Sequence, residues 1–128
     1  SLVEITDTLA KENVDLRAMS IADTQDFGIL RLIVSDTDKA LAVLRSKNCI
    51  VAETAVVGAR LRNEPGALAT VVKALSDGGI NVEYMYAFNG ATPHHAYVVL
   101  RVDDNDKVTE LLLKEGIKCI TQEQVAEI

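Results

Sequence analysis

The stretch RNEPGALATVVKALSDGGINVEYM, residues 62–85, decides the fold. Asn63-Glu64-Pro65-Gly66 reads as a turn, because Pro fixes φ near its helical value and Gly opens conformations closed to other residues. Ala67 and Leu68 then begin an amphipathic helix. Leu68, Val71, Val72 and Leu75 recur three or four residues apart and are expected to form its buried stripe. Gly78-Gly79 supplies the stop. Ile80, Val82 and Tyr84 next alternate with Asn81, Glu83 and Met85, the period of two expected of a strand with one buried face. Upstream of the turn, residues 56–62 read as a further strand.

Downstream, residues 96–102 are rich in β-branched side chains and end at Asp104-Asn105-Asp106, an acidic cluster suited to capping a helix. That helix is expected over residues 107–115, with Val108, Leu111 and Leu112 turned inward, and a last strand over 117–121. The unit is β-α-β-β-α-β, an α+β ferredoxin-like sandwich with helices on one face of an antiparallel sheet.

The first half repeats it. Leu68, Val71, Leu75, Ile80, Val82 and Met85 fall on Leu2, Ile5, Leu9, Val14, Leu16 and Met19. After a slip of two residues, Leu100, Val102, Asp104, Asp106, Lys107 and Leu112 fall on Leu32, Val34, Asp36, Asp38, Lys39 and Leu44. A strand is therefore expected over 28–34, a helix over 39–47 behind Asp36-Thr37-Asp38, and a strand over 49–53. The chain divides into a first unit, 1–54, and a second, 55–128. Ser1 aligns with Ala67, so the first unit lacks the first strand and loop. In this sandwich the first strand is central, and an upstream segment or a strand from another chain is expected to fill its place.

Composition narrows the function. The net charge is -6 with no cluster of Lys and Arg, which argues against nucleic acid as a partner. No run of about eighteen apolar residues offers a membrane span, and Glu4, Asp7 and Lys11 interrupt what would be a signal peptide, so a cytoplasmic location is expected. Cys49 and Cys119 stand apart as small thiols of a reducing compartment. His94-His95 sits in a loop with no converging ligands, so no metal and no cofactor are expected. Residues 103–107 and 121–127 read as a helix cap and a solvated chain end. There is no G-x-S-x-G elbow, P-loop or H-E-x-x-H, and Arg62 lacks the glycines of a phosphate cradle, so no catalytic residue is assigned.

The turn is the best candidate for chemistry. Free amides at the start of a helix, at the positive end of its dipole, suit a carboxylate, and the Asn63 side-chain oxygen can accept from an ammonium. An α-amino acid carries both groups. The alternative from these four residues alone is a turn kept for shape, with Asn63 as cap.

In order and spacing, strand, N-x-P-G-x-L, amphipathic helix and Gly-Gly-Ile80-Asn81-Val82 resemble the ACT family, well over the second half and more loosely over residues 1–54. The resemblance implies a tandem ACT protein that binds an amino acid or similar metabolite between two adjacent ACT domains, regulates amino-acid metabolism, catalyses nothing and forms homodimers through its sheets or helices. It places the ligand at Asn63, Glu64, Pro65, Gly66, Ala67 and Leu68, and at Asn81, Val82 and Met85. In the first copy Asp15 stands at the position of Asn81, so Val14, Asp15 and Leu16 would face the Asn63 turn, with Asp15 available to an ammonium. Leu61 occupies a position where serine-binding members carry His, a departure from the pattern for serine. Tyr84 and Tyr86 alternate with Met85, which is the preferred wall of the pocket. The rival reading is an assembly module that docks on a partner enzyme or a second copy and binds no free ligand.

Overall fold

The computed structural model describes residues 1–23, 28–90, 93–121 and 124. The chain separates into two compact units, the first over Ser1–Thr54 together with Gln124 near the chain end, the second beginning at Ala55.

In the second unit four strands and two helices follow in the order β3 (Val57–Arg62), α3 (Ala67–Asp77), β4 (Val82–Asn89), β5 (His95–Val102), α4 (Asn105–Lys114) and β6 (Lys118–Ile120). The sheet runs β4-β5-β3-β6, antiparallel throughout, with β3 inside it. Alternation along β3 and β5 sends Val57, Ala59, Leu61, Val98, Leu100 and Val102 to one face, where they pack with Val71 and Leu75 of α3 and Val108 and Leu112 of α4. Burying these ten side chains is the main favourable term for the unit, at roughly 1.5–3 kcal/mol for each large one.

The first unit holds α1 (Leu2–Lys11), β1 (Leu16–Asp23), β2 (Gly28–Val34) and α2 (Thr37–Ser46), with β1 and β2 as a two-stranded sheet. Its core is Leu9, Val14, Val34, Ala40 and Leu44. The expected helices and strands are present, with one exception. Residues 49–53 form no strand, because the counterpart, β6, is held in its sheet by β3 and the first unit has no such neighbour among the described residues.

The repeat is visible in details that composition does not show. Val82 pairs with Val102 and Tyr84 with Arg101, so the register slips by one residue at Glu83; Leu16 pairs with Val34 and Ala18 with Ile33, the same slip at Arg17. Each is a bulge, which turns the strand's faces over at that point. Helices α1 and α3 end at left-handed residues, Asn13 at φ 58° and Gly79 at φ 68°, and α2 and α4 at Asn48 (62°) and Gly116 (73°). One residue further on, the amides of Val14, Ile80, Cys49 and Ile117 return to the carbonyls of Leu9, Leu75, Leu44 and Leu112 at 2.9–3.1 Å. All four helices thus close with the same left-handed cap, in which only Gly and Asn are readily accommodated. Asp36 and Asp104 cap α2 and α4 as their acidic clusters predict, accepting from the amides of Lys39 and Lys107.

No described helix is long and apolar enough to cross a membrane. Of the chain end expected to be solvated, residues 122, 123 and 125–127 lie outside the described residues.

Candidate functional site

The turn between β3 and α3 is held from two directions. The Asn63 backbone amide donates to the carbonyl of His94 at 2.9 Å, and its side-chain Nδ2 donates to the carbonyl of Pro93 at 3.1 Å. Both anchors lie in the loop before β5, whose first residue, His95, pairs with Arg62. The amide side of Asn63 is therefore engaged by the fold, and its Oδ1 has no partner among the described residues.

Gly66 then enters α3 at φ 88°, a left-handed conformation at the N-cap, where an added Cβ would meet open space. Helix α3 has no side-chain cap and no acidic residue in its first turn, whereas α1, α2 and α4 are capped by Ser1, Asp36 and Asp104. The Ala67 amide reaches back to Glu64 O at 3.3 Å and the Thr70 amide to Gly66 O at 3.0 Å, but those of Leu68 and Ala69 find no backbone acceptor. Two exposed donors at the positive end of a helix dipole can take one carboxylate, and a partnerless amide oxygen beside them can accept from an ammonium.

The other expected ligand residues lie elsewhere. Asn81 and Val82 stand at the start of β4, and Val82 pairs with Val102 at the far end of the sheet from Arg62 and His95. The eleven residues of α3, about 16 Å of helix, separate Asn63 from Asn81. One amino acid cannot touch both within a single unit. Met85, 40% exposed, pairs with Leu100 and so lies on the helix-bearing face, while Tyr84 and Tyr86 lie beyond the bulge on the opposite face, their rings stacked at 6.3 Å. Glu83, at the bulge, receives Arg101 Nε at 3.1 Å.

In the first unit Asp15 is exposed, and its carboxylate pairs with Arg17 at 3.1 Å, so any ammonium there competes with a guanidinium already in place. Val14 is buried in the first core and Leu16 packs against it, so neither offers a side chain to a ligand, and the Val14 amide is engaged by the Leu9 carbonyl and Leu16 is paired with Val34. The buried stripe of α3 also needs correction. Val71 and Leu75 are buried, but Leu68 and Val72 are 40% and 45% exposed, because they lie about 60–100° round the helix from Val71. The carbonyls of Pro93 and His94 carry no residue signature, and only strand register could have placed their loop against Asn63. No three His, Cys, Asp or Glu among the described residues converge to hold a metal, and no described polar or charged side chain is buried.

The description "ACT domain pair" matches residues 1–128. The crystal structure of protein BT0572 from Bacteroides thetaiotaomicron is 43% identical, covering 100% of this chain and 88% of that one, with a TM-score of 0.91. An unknown protein from Galdieria sulphuraria is 12% identical over 93% of this chain and 87% of that one, at a TM-score of 0.36, a likeness too slight to bear on the fold. No curated protein matches the chain.

Proposed function

The chain belongs to the family of ACT domain pairs, regulatory small-molecule-binding modules, and from that premise we propose that it senses a small α-amino acid, or a metabolite with the same carboxylate and ammonium, and does no chemistry of its own. The observation that carries this reading is the open N-terminus of α3, with the Leu68 and Ala69 amides lacking acceptors beside the partnerless Asn63 Oδ1. The carboxylate takes the two amides and the ammonium takes Asn63. Because Asn63 and Asn81 lie at opposite ends of their sheet, the far side of the ligand is met by another ACT unit, through an Asn81-type or Asp15-type residue.

The test is thermal denaturation against the twenty amino acids at millimolar concentration, since ligand bound to the native state raises the melting temperature. One amino acid or a few related ones should give a shift that is lost in Asn63→Ala. A shift that survives that substitution, or none with any amino acid, refutes the reading.

One set of observations favours assembly as a second reading. Leu68, Val72, Val82 and Met85 are exposed apolar side chains, and the counterparts of Leu68 and Met85 in the first unit, Leu2 and Met19, are exposed as well. Exposed apolar residues at matching positions of a repeat suit a surface that pairs ACT units, including those of a homodimer. Under assembly alone, polar substitution at Leu68 and Met85 changes the oligomer and no amino acid binds.

A further inference from the structure

Arg101 on β5 reaches in two directions. Its Nε donates to Glu83 Oε2 at 3.1 Å, and its Nη1 donates to the Ala55 carbonyl at 2.9 Å. Glu83, the bulged residue of β4, lies on one side of β5, and Ala55, which leads into β3, lies on the other. One guanidinium therefore ties together the segments that flank its own strand. Ala55 is also where the second compact unit begins, directly after Thr54 of the first. Residues 51–56 form no helix or strand, and 52–55 are exposed. The β3–β5 ladder starts only at Val57, paired with Leu100, so the Ala55 carbonyl is met by a side chain where no strand pairing reaches.

The fold does not need this arrangement. In the first unit the repeat counterparts of Glu83 and Arg101 are Arg17 and Ile33, yet the same bulge forms at Arg17, which pairs with Asp15. What sets Arg101 apart is its position beside the segment that carries the chain from Thr54 into the second unit. Arg suits that position, because its planar fork presents Nε and Nη1 to two acceptors at once, whereas a Lys ammonium is a single point on a flexible stem. We propose that Arg101 is a latch for this connecting segment: its guanidinium, oriented by Glu83, holds the Ala55 carbonyl and so fixes where the connector ends and β3 begins. Glu83 is a positioning residue that acts through Arg101. It stands two residues after Asn81, so the latch links the start of β4 to the connector, and it does so whether or not an amino acid binds.

The test is digestion of the native protein with a glutamyl endopeptidase, its fragments followed by mass spectrometry. A cut after Glu53 requires the exposed residues 52–55 to lie extended in the protease, and so requires the Ala55 carbonyl to leave Arg101. Where reclosing is fast, cleavage follows the population of the open form. Arg101→Met should speed the cut after Glu53 by about three- to tenfold, Glu83→Ala by about two- to threefold, and Arg101→Lys by less than Arg101→Met. The cut after Glu115, the C-cap of α4, reports general loosening and should keep its rate in all three variants. The inference is overturned if Arg101→Met is cut after Glu53 at the original rate, or if cutting after Glu115 rises by the same factor. If Arg101→Met does not fold, Glu83→Ala, at a side chain 54% exposed, decides by the same two criteria.

Discussion

Replacing Gly66 by Ala isolates the backbone strain on which the open end of α3 depends. Gly66 sits at φ 88°, and a Cβ built there has nothing within 4 Å, so the substitution costs conformation and not collision. A left-handed L-residue costs about 1–2 kcal/mol. Against this, Ala restricts the unfolded chain and returns about 0.4–1 kcal/mol. The central values leave a net loss of about 0.8 kcal/mol, within a span of about 0–1.6 kcal/mol, and the central value lowers the melting temperature of a unit this size by about 3–6 °C. Tyrosine fluorescence is a suitable assay, because the protein has no Trp and its three tyrosines, Tyr84, Tyr86 and Tyr97, all lie on β4 and β5 of the second unit. Gly66→Asn should lose about half as much, since Asn already occupies left-handed positions at residues 13 and 48. Under the proposed function, Gly66→Ala also weakens the amino-acid response, because relaxing φ re-aims the Leu68 and Ala69 amides. Ala as stable as Gly, or Asn less stable than Ala, would refute the assignment of strain to this residue.

Asp104→Ala removes the α4 cap and should cost about 1 kcal/mol in urea unfolding, with Asp36→Ala costing a similar amount through α2. Gly78→Ala sets a Cβ against Leu111 Cδ1, so the Leu111 side chain must turn aside, and it should destabilise by about 0.5–1.5 kcal/mol; Leu111→Ala in the same chain should recover part of that, and strict additivity of the two would disprove the collision. Burial pushes the Cys119 thiol up from its ordinary 9.0, opposed by a hydrogen bond with Thr109. Its neutral form therefore stabilises the fold fully below pH 9.0 and loses that contribution as pH rises through the raised folded value, so Cys119→Ala should flatten the alkaline decline in melting temperature. An unchanged decline would show that other groups govern it.

What could be read from the sequence followed local physics. Caps at Asp36 and Asp104, the stop at Gly78-Gly79 and the alternation of residues 57–62 each depend on a few neighbouring residues and stand where expected. The departures depend on distant ones. Residues 49–53 carry strand-forming side chains but fail to form a strand for want of the neighbour that β6 has. The bulge at Glu83 is a register event between β4 and β5, and it sent Tyr84 to the face opposite the one its alternation with Val82 implied. Leu68 and Val72 belong to an apolar stripe by spacing, but only the width of the sheet decides which part of that stripe is covered. At the candidate site the turn residues were legible and their anchors were not, because Asn63 is held by two backbone carbonyls thirty or so positions away.

The separation of Asn63 from Asn81 determines what kind of sensor the proposed site can be. A pocket closed within one unit reports occupancy only by tightening that unit. Here the helix that supplies the free amides also places about 16 Å of its own length between Asn63 and Asn81, so a ligand small enough for two amides and one oxygen leaves the other Asn untouched. Under the proposed function, recognition by both kinds of residue requires a second ACT unit, which would couple ligand affinity to the pairing of units. The coupling is reciprocal: whatever factor the amino acid adds to pairing, pairing adds to amino-acid affinity. Such a protein needs no moving catalytic part, because the ligand shifts the population of paired units only by its preference for the paired state. Under the same proposal, the exposed Leu68 and Met85 are the apolar surface available for pairing with another copy.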